Sequence, residues 1–224
     1  MHWDVLIENA GALASGLLLT LEVSALAFIL AAIVGLIVAT LRATPSTALR
    51  ALGTAYVEIV RNIPLIVQIF FLFFALPSVG IRLPAFLCGV VGLGVYTAAF
   101  IAESIRSGIA AVPPGQLEAA RASGLSYVAA MRLVVLPQAI RLTIPPLGNT
   151  TLNMIKNSSL VSAISLGDIL GVANLLGART FAYVPMFVGA GIAYLIITLP
   201  AGLFTGWLER RYGLGDRMRL PAEQ

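Results

Sequence analysis

From Leu17 to Leu41 the chain reads LLLTLEVSALAFILAAIVGLIVATL, with Glu22 as its one charged residue. About 20 apolar residues suffice to cross bilayer hydrocarbon as a helix, and only helices or closed barrels satisfy their backbone there. Four more apolar stretches follow, so the pattern is that of an all-α integral membrane protein. Composition agrees: 59% of residues are hydrophobic and 11% charged, with mean hydropathy +0.96, against roughly 25% charged in an ordinary soluble domain. Five transmembrane helices are expected, at about 17–41, 52–76, 84–110, 145–166 and 185–208. Residues 1–16 mix Trp3 and Ile7 with Asp4 and Glu8 and suit an extracytoplasmic, interfacial segment. Residues 212–224 form a basic tail.

Several chemistries are poorly supplied. Cys88 is the single cysteine and His2 the single histidine, which rules out an internal disulfide framework and leaves no expected metal site. A nucleophile or matched acid–base pair for a membrane enzyme is also missing from the pattern. The formal charge of +4 comes from arginines at helix ends, not from a nucleic-acid surface. Asp4 and Glu8 stand where a signal peptide would carry basic residues, so none is expected. Arg42, Arg50, Arg121, Arg132, Arg141 and the arginines near the C-terminus fall on one side of the five spans, and Arg82 and Arg179 on the other. The excess of arginine marks the cytoplasmic side. That places the N-terminus outside and the C-terminus inside.

Between the third and fourth expected spans lies a polar island, Glu118–Pro137, EAARASGLSYVAAMRLVVLP. Pro113, Pro114 and Gly115 end the preceding helix. A short helix is expected from about Gln116 to Ser123, with Gly124 as its left-handed cap and Ser126 as N-cap of the next helix. That second helix should run from Tyr127 until Pro137 disturbs it. Ala119, Ala120, Ala122 and Ser123 let a partner approach closely. The alternative is a loop whose glycine and prolines only satisfy turn geometry.

Ionisable groups inside spans are costly and default to functional candidates. Glu58 and Arg61, and likewise Glu103 and Arg106, are spaced i,i+3 so that each pair can neutralise itself. Both acids lie roughly 10 Å from the cytoplasmic ends of their spans at about 1.5 Å per residue, which suits one charged layer. Gln68 is a further polar group within the second span. In the fourth span, Asn149, Asn153, Lys156 and Asn157 recur on one helical stripe. These nine residues are the candidate substrate pathway; structural ion pairs and a polar dimer seam are the competing explanations. Pro145 and Pro146 are expected to open this span.

Glu118-Ala119-Ala120, three residues, Gly124, and then Val134 before Leu136-Pro137 resemble the EAA loop of the membrane subunits of bacterial ATP-binding-cassette (ABC) importers; Val134 stands where that family has isoleucine. Residues 54–77, 106–116 and 144–164 are similar to polar amino-acid permeases of the same family. RNIPLIVQ together with IKNSS resembles especially the glutamate/aspartate type. The resemblance covers most of residues 17–211. It implies a bacterial inner-membrane permease whose coupling helix, within a loop of about 112–140, docks on a cytoplasmic ATPase through Glu118, Ala119, Ala120, Gly124, Leu136 and Pro137. It further implies a second membrane subunit, identical or a sister permease, a cytoplasmic ABC ATPase dimer holding ATP and Mg, and an extracytoplasmic amino-acid-binding protein. No cofactor and no catalysis are expected in this chain, which has no GxxxxGK[ST] phosphate loop. The rival class is an ion-coupled secondary transporter of small polar solutes. Internal repeats usual in that class are not evident, since five spans do not halve.

Overall fold

The computed structural model describes residues 3–212, so most of the basic tail, Arg217 and Arg219 included, lies outside the described residues, as does His2. The described chain is helical: α1 (Asp4–Glu8), α2 (Ala10–Ala43), α3 (Thr47–Asn62), α4 (Leu65–Phe70), α5 (Ala85–Ala110), α6 (Pro114–Ala122), α7 (Tyr127–Ala130), α8 (Leu136–Asn157), α9 (Ile169–Thr180) and α10 (Tyr183–Arg211). A π-helical turn, Phe71–Ala75, and a 3-10 turn, Leu76–Val79, extend α4. A second π turn, Met131–Val135, fuses α7 to α8, and a 3-10 turn, Ser158–Ile164, closes α8.

Four helical stretches are long and apolar enough to cross a membrane: Ala10–Ala43, Ala85–Ala110, Tyr127–Ile164 and Tyr183–Arg211. A fifth exists if the pair Thr47–Asn62 and Leu65–Val79, bent by 99°, counts as one span. The molecule is therefore an all-α integral membrane protein of four long apolar helices, or five with the broken one.

Three differences from the sequence pattern have local causes. The helix carrying the first expected span starts at Ala10, because residues 10–16 hold no breaker stronger than glycine. The expected span at 52–76 is broken rather than straight. Ile63 is extended (φ −97°, ψ 126°) ahead of Pro64, the conformation that a following proline imposes. Pro145 and Pro146, expected to open a helix, instead lie inside α8. They leave the carbonyls of Arg141 and Leu142 without a ladder donor, and packed neighbours make such interior prolines tolerable in membrane helices. Pro137 is preceded by the π turn, which absorbs the ladder bond that proline cannot make.

Helix α5 is central. It packs on α2, α3, α4 and α8, and its small residues Gly92, Ala98, Ala99 and Ala102 are buried. Close backbone approach is how membrane helices gain packing contact when lipid removes the ordinary hydrophobic drive. The tightest point is Gly108, where an added Cβ would overlap Thr143 Oγ1 of α8. One core joins Val23, Ile69, Leu93, Met154 and Ile164. A second, built on Leu13, Ile169, Ala173 and Met186, seats α9 against α2 and α10.

Candidate functional site

The segment expected to couple forms a helical hairpin. Pro113 precedes α6 with Pro114 at its first position, where a missing N–H costs nothing. At its other end Gly124 takes φ +90°. Its N–H bonds Arg121 O at 3.1 Å and the Leu125 N–H bonds Ala120 O at 3.3 Å, the paired closure of a left-handed cap. Ser126 Oγ then accepts the Ala129 N–H at 3.2 Å. Glu118, Ala119, Gly124, Leu136 and Pro137 are exposed, while Ala120 is buried. Tyr127, Val128 and Leu133 add exposed apolar surface. Val112, Val135 and Ala139 form a small core, joined by Leu117 and Met131, that fixes the hairpin to α5 and α8.

Above the hairpin, the two i,i+3 pairs behave differently. Glu103 holds Arg106, whose Nε donates to Oε1 at 2.9 Å. It also accepts from Arg42 Nη1 at 2.7 Å, which ties the end of α2 to α5. Arg42 is 10% exposed and Arg106 51%. Among the described residues Glu58 makes no ion pair with Arg61; it is exposed, and the Arg61 guanidinium lies 5.1 Å from the centroid of the Phe100 ring, within cation–π range.

Phe100 is also a wall of a cavity of about 300 Å³ between α5 and α8, lined by Tyr96, Thr97, Thr150, Asn153, Met154 and Asn157. Two amides, two threonine hydroxyls and two aromatic rings converge there. Lys156 does not share this cavity. It lines another, of about 330 Å³, with Ser159, Leu170, Phe187 and Tyr194. Asn149 is exposed on the same face of α8. The expected stripe thus divides between two neighbouring cavities. Gln68 lines a third, apolar space with Val60, Val91 and Val95, and its carboxamide bonds main-chain carbonyls at the bend.

Arg42, Tyr96, Phe100 and Thr150 escaped the sequence pattern. Tyr96, Phe100 and Glu103 recur at helical spacing, which is the signal that points to them. The Arg42 contact, 61 residues away in sequence, leaves no local trace. No cluster of metal-ligating side chains occurs among the described residues.

The described residues thus form a bundle of membrane helices that carries polar cavities and an exposed hairpin fixed to two of its helices. Residues 11–214 match the family of binding-protein-dependent transport system inner membrane components. The chain belongs to that family. It is 42% identical to the probable glutamine ABC transporter permease protein GlnM of Bacillus subtilis, over 94% of this chain and 98% of that one. It is 34% identical to the glutamate/aspartate import permease protein GltJ of Escherichia coli, over 97% of each. A crystal structure of an amino acid ABC transporter with histidines superposes with TM-score 0.90 at 33% identity, covering 94% of this chain and 99% of that one. The MetNI methionine ABC transporter, in inward-facing conformations, shares the fold at TM-score 0.67 and 22% identity, over 91% of this chain and 95% of that one.

Proposed function

We propose that this chain, a non-catalytic permease subunit of an ABC-type amino-acid importer working with a partner ATPase, carries a polar amino acid through the space lined by Asn153 and Asn157. The single observation that supports this most is the cavity of about 300 Å³ where those amides meet Thr97, Thr150 and the rings of Tyr96 and Phe100. Fixed hydrogen-bonding groups set among aromatic and apolar ones are what a small polar ligand needs. Arg61, over the ring of Phe100, brings positive charge next to one wall residue of that cavity, which suits a carboxylate. Glutamine and glutamate/aspartate permeases among its relatives make an amide or acidic side chain the expected cargo.

Topologically, the broken pair Thr47–Asn62 and Leu65–Val79 serves as the second of five spans, with the N-terminus outside and the C-terminus in the cytoplasm. Arginine placement supports that orientation. The hairpin at Glu118–Pro137 then faces the cytoplasm between spans three and four and docks on an ABC ATPase dimer. A second membrane subunit completes the pathway along the exposed Asn149–Asn153 face, and an extracytoplasmic binding protein delivers the amino acid.

The test is reconstitution with the candidate ATPase and binding protein, comparing wild type with Gly124→Asp. At φ +90° a side chain is strained in any case, and the added charge falls on the exposed turn. Loss of ATP-driven uptake and of ATPase co-purification, with the chain still folded in the membrane, is expected. Unchanged uptake would defeat the coupling role, and uptake with no ATPase present would defeat the assignment of the drive.

A further inference from the structure

In an unbroken helix the N–H of residue 64 would bond the carbonyl of Val60, four residues back. Pro64 has no N–H to give. The carboxamide of Gln68 fills that role: Nε2 donates to Val60 O at 2.9 Å and to Ile63 O at 3.0 Å. One side chain thus satisfies two carbonyls at the 99° break between α3 and α4, in surroundings where an unpaired carbonyl is expensive. Farther along the same turn, Arg61 lies over Phe100, and Phe100 walls the cavity of Asn153 and Asn157. Tyr56 gives α3 a second hold on α5 through its hydroxyl, which donates to Val95 O at 2.7 Å. The end of α3 between that anchor and the break has its direction set by the carbonyls that Gln68 grips.

We infer that Gln68 is a positioning residue, a clasp that replaces the missing N–H of Pro64, fixes the break, and thereby holds the Arg61 guanidinium over Phe100, a residue of the cavity wall. It acts through Arg61 and does not itself contact the cargo. Its consequence for uptake rests on the transport pathway proposed above, whereas the clasp itself is a matter of geometry.

Two readouts separate these. Val60 of α3 and Val95 of α5 line the same apolar space, so a Val60→Cys, Val95→Cys pair in a Cys88→Ala background reports the distance from the end of α3 to α5 by cross-linking with a short bis-maleimide. Gln68→Met, similar in size and without a donor, should lower the cross-linking yield. It should also cut ATP-driven uptake of radiolabelled glutamine and glutamate by the reconstituted complex on the order of tenfold, as displacement of a positioned group does. Gln68→Glu should be worse than Gln68→Met, because it turns a carboxylate toward two carbonyl oxygens; a cargo ammonium bound at residue 68 would make it better. Arg61→Gln with Gln68→Met should transport no less than Arg61→Gln alone, since the second loss acts through the first. Unchanged cross-linking in Gln68→Met, Gln68→Glu outperforming Gln68→Met, or multiplying losses at 61 and 68 would each overturn the clasp. A wild-type complex that takes up neither amino acid would overturn the transport pathway, and the cross-linking would still decide the clasp.

Discussion

Asp168 is fully buried, yet among the described residues no positive charge faces it. It caps α9, accepting the N–H groups of Leu170 at 3.3 Å and Gly171 at 3.1 Å. The Tyr194 hydroxyl of α10 approaches Oδ2 at 3.5 Å. From α2, Thr20 accepts the neighbouring Ile169 N–H at 3.2 Å. Burial pushes the carboxyl up to about 6 from 3.8, and the hydrogen bonds offset only part of that. The sign follows from linkage: between about pH 4 and pH 6 the folded chain holds a proton that the unfolded chain has released. Stability therefore falls as pH rises through that window, by an amount on the order of 2 kcal/mol. Asparagine can still cap the helix and carries no charge. Thermal unfolding of the purified chain should show wild type losing stability from pH 4.5 to pH 7, while Asp168→Asn stays flat and melts higher at pH 7. Wild-type melting that rose with pH, or a slope that survived in Asp168→Asn, would contradict this account of the site.

Joined elements depend on pairs far apart in sequence. Glu103 bridges Arg42 of α2 and Arg106 on its own helix, but the two arginines differ in exposure, 10% against 51%. Glu103→Gln leaves Arg42 enclosed without its counter-charge and should cost about 1–3 kcal/mol, since breaking a shielded pair strands the remaining charge. Arg106→Gln should stay within about 1 kcal/mol, because an exposed partner is replaced by water. Unfolding of both variants in the same detergent checks the order; equal losses would mean that Arg42 is better hydrated than its burial implies. The α2–α5 bridge also marks what the sequence could not convey. Caps are local, so Gly124 and Ser126 were legible from their neighbours alone. Prolines were legible as punctuation but not as to which would break a helix. Pro64 was expected within a span and breaks it; Pro145 and Pro146 were expected to start a helix and lie inside one. The difference comes from surroundings: Gln68 satisfies the carbonyls of an open break, whereas α8 stays continuous through its prolines, which packed neighbours make tolerable. Of the candidate pathway, the amides of α8 were visible as a stripe, but its division between two cavities depends on α5 and α10, which no single helix records.

Across the whole molecule, one helical run joins the hairpin to the cavities. Tyr127–Ile164 begins at the hairpin and ends beside both cavities. In the coupling proposed above, motion of the hairpin would shift Asn153 and Lys156 together, while the opposite walls belong to α5 for one cavity and to α9 and α10 for the other. The two cavities should consequently answer differently to substitution. Asn157→Ala removes a hydrogen-bonding amide from the α5 side, so it should lower uptake of glutamine and glutamate alike, by roughly tenfold if the amide pairs with the shared backbone of the cargo. Lys156→Met keeps the length of the side chain and removes its charge from the α10 side. If that ammonium meets the side-chain carboxylate, glutamate uptake should fall by several-fold more than glutamine uptake, and added salt should narrow the wild-type difference, because Lys156 is exposed. Uptake of both amino acids from loaded binding protein, measured in proteoliposomes over a concentration series, distinguishes the cases. Equal losses at Lys156→Met would assign the lysine to the common carboxylate of the cargo. No loss would remove it from the pathway and leave the cavity of Asn153 and Asn157 as the proposed site of passage.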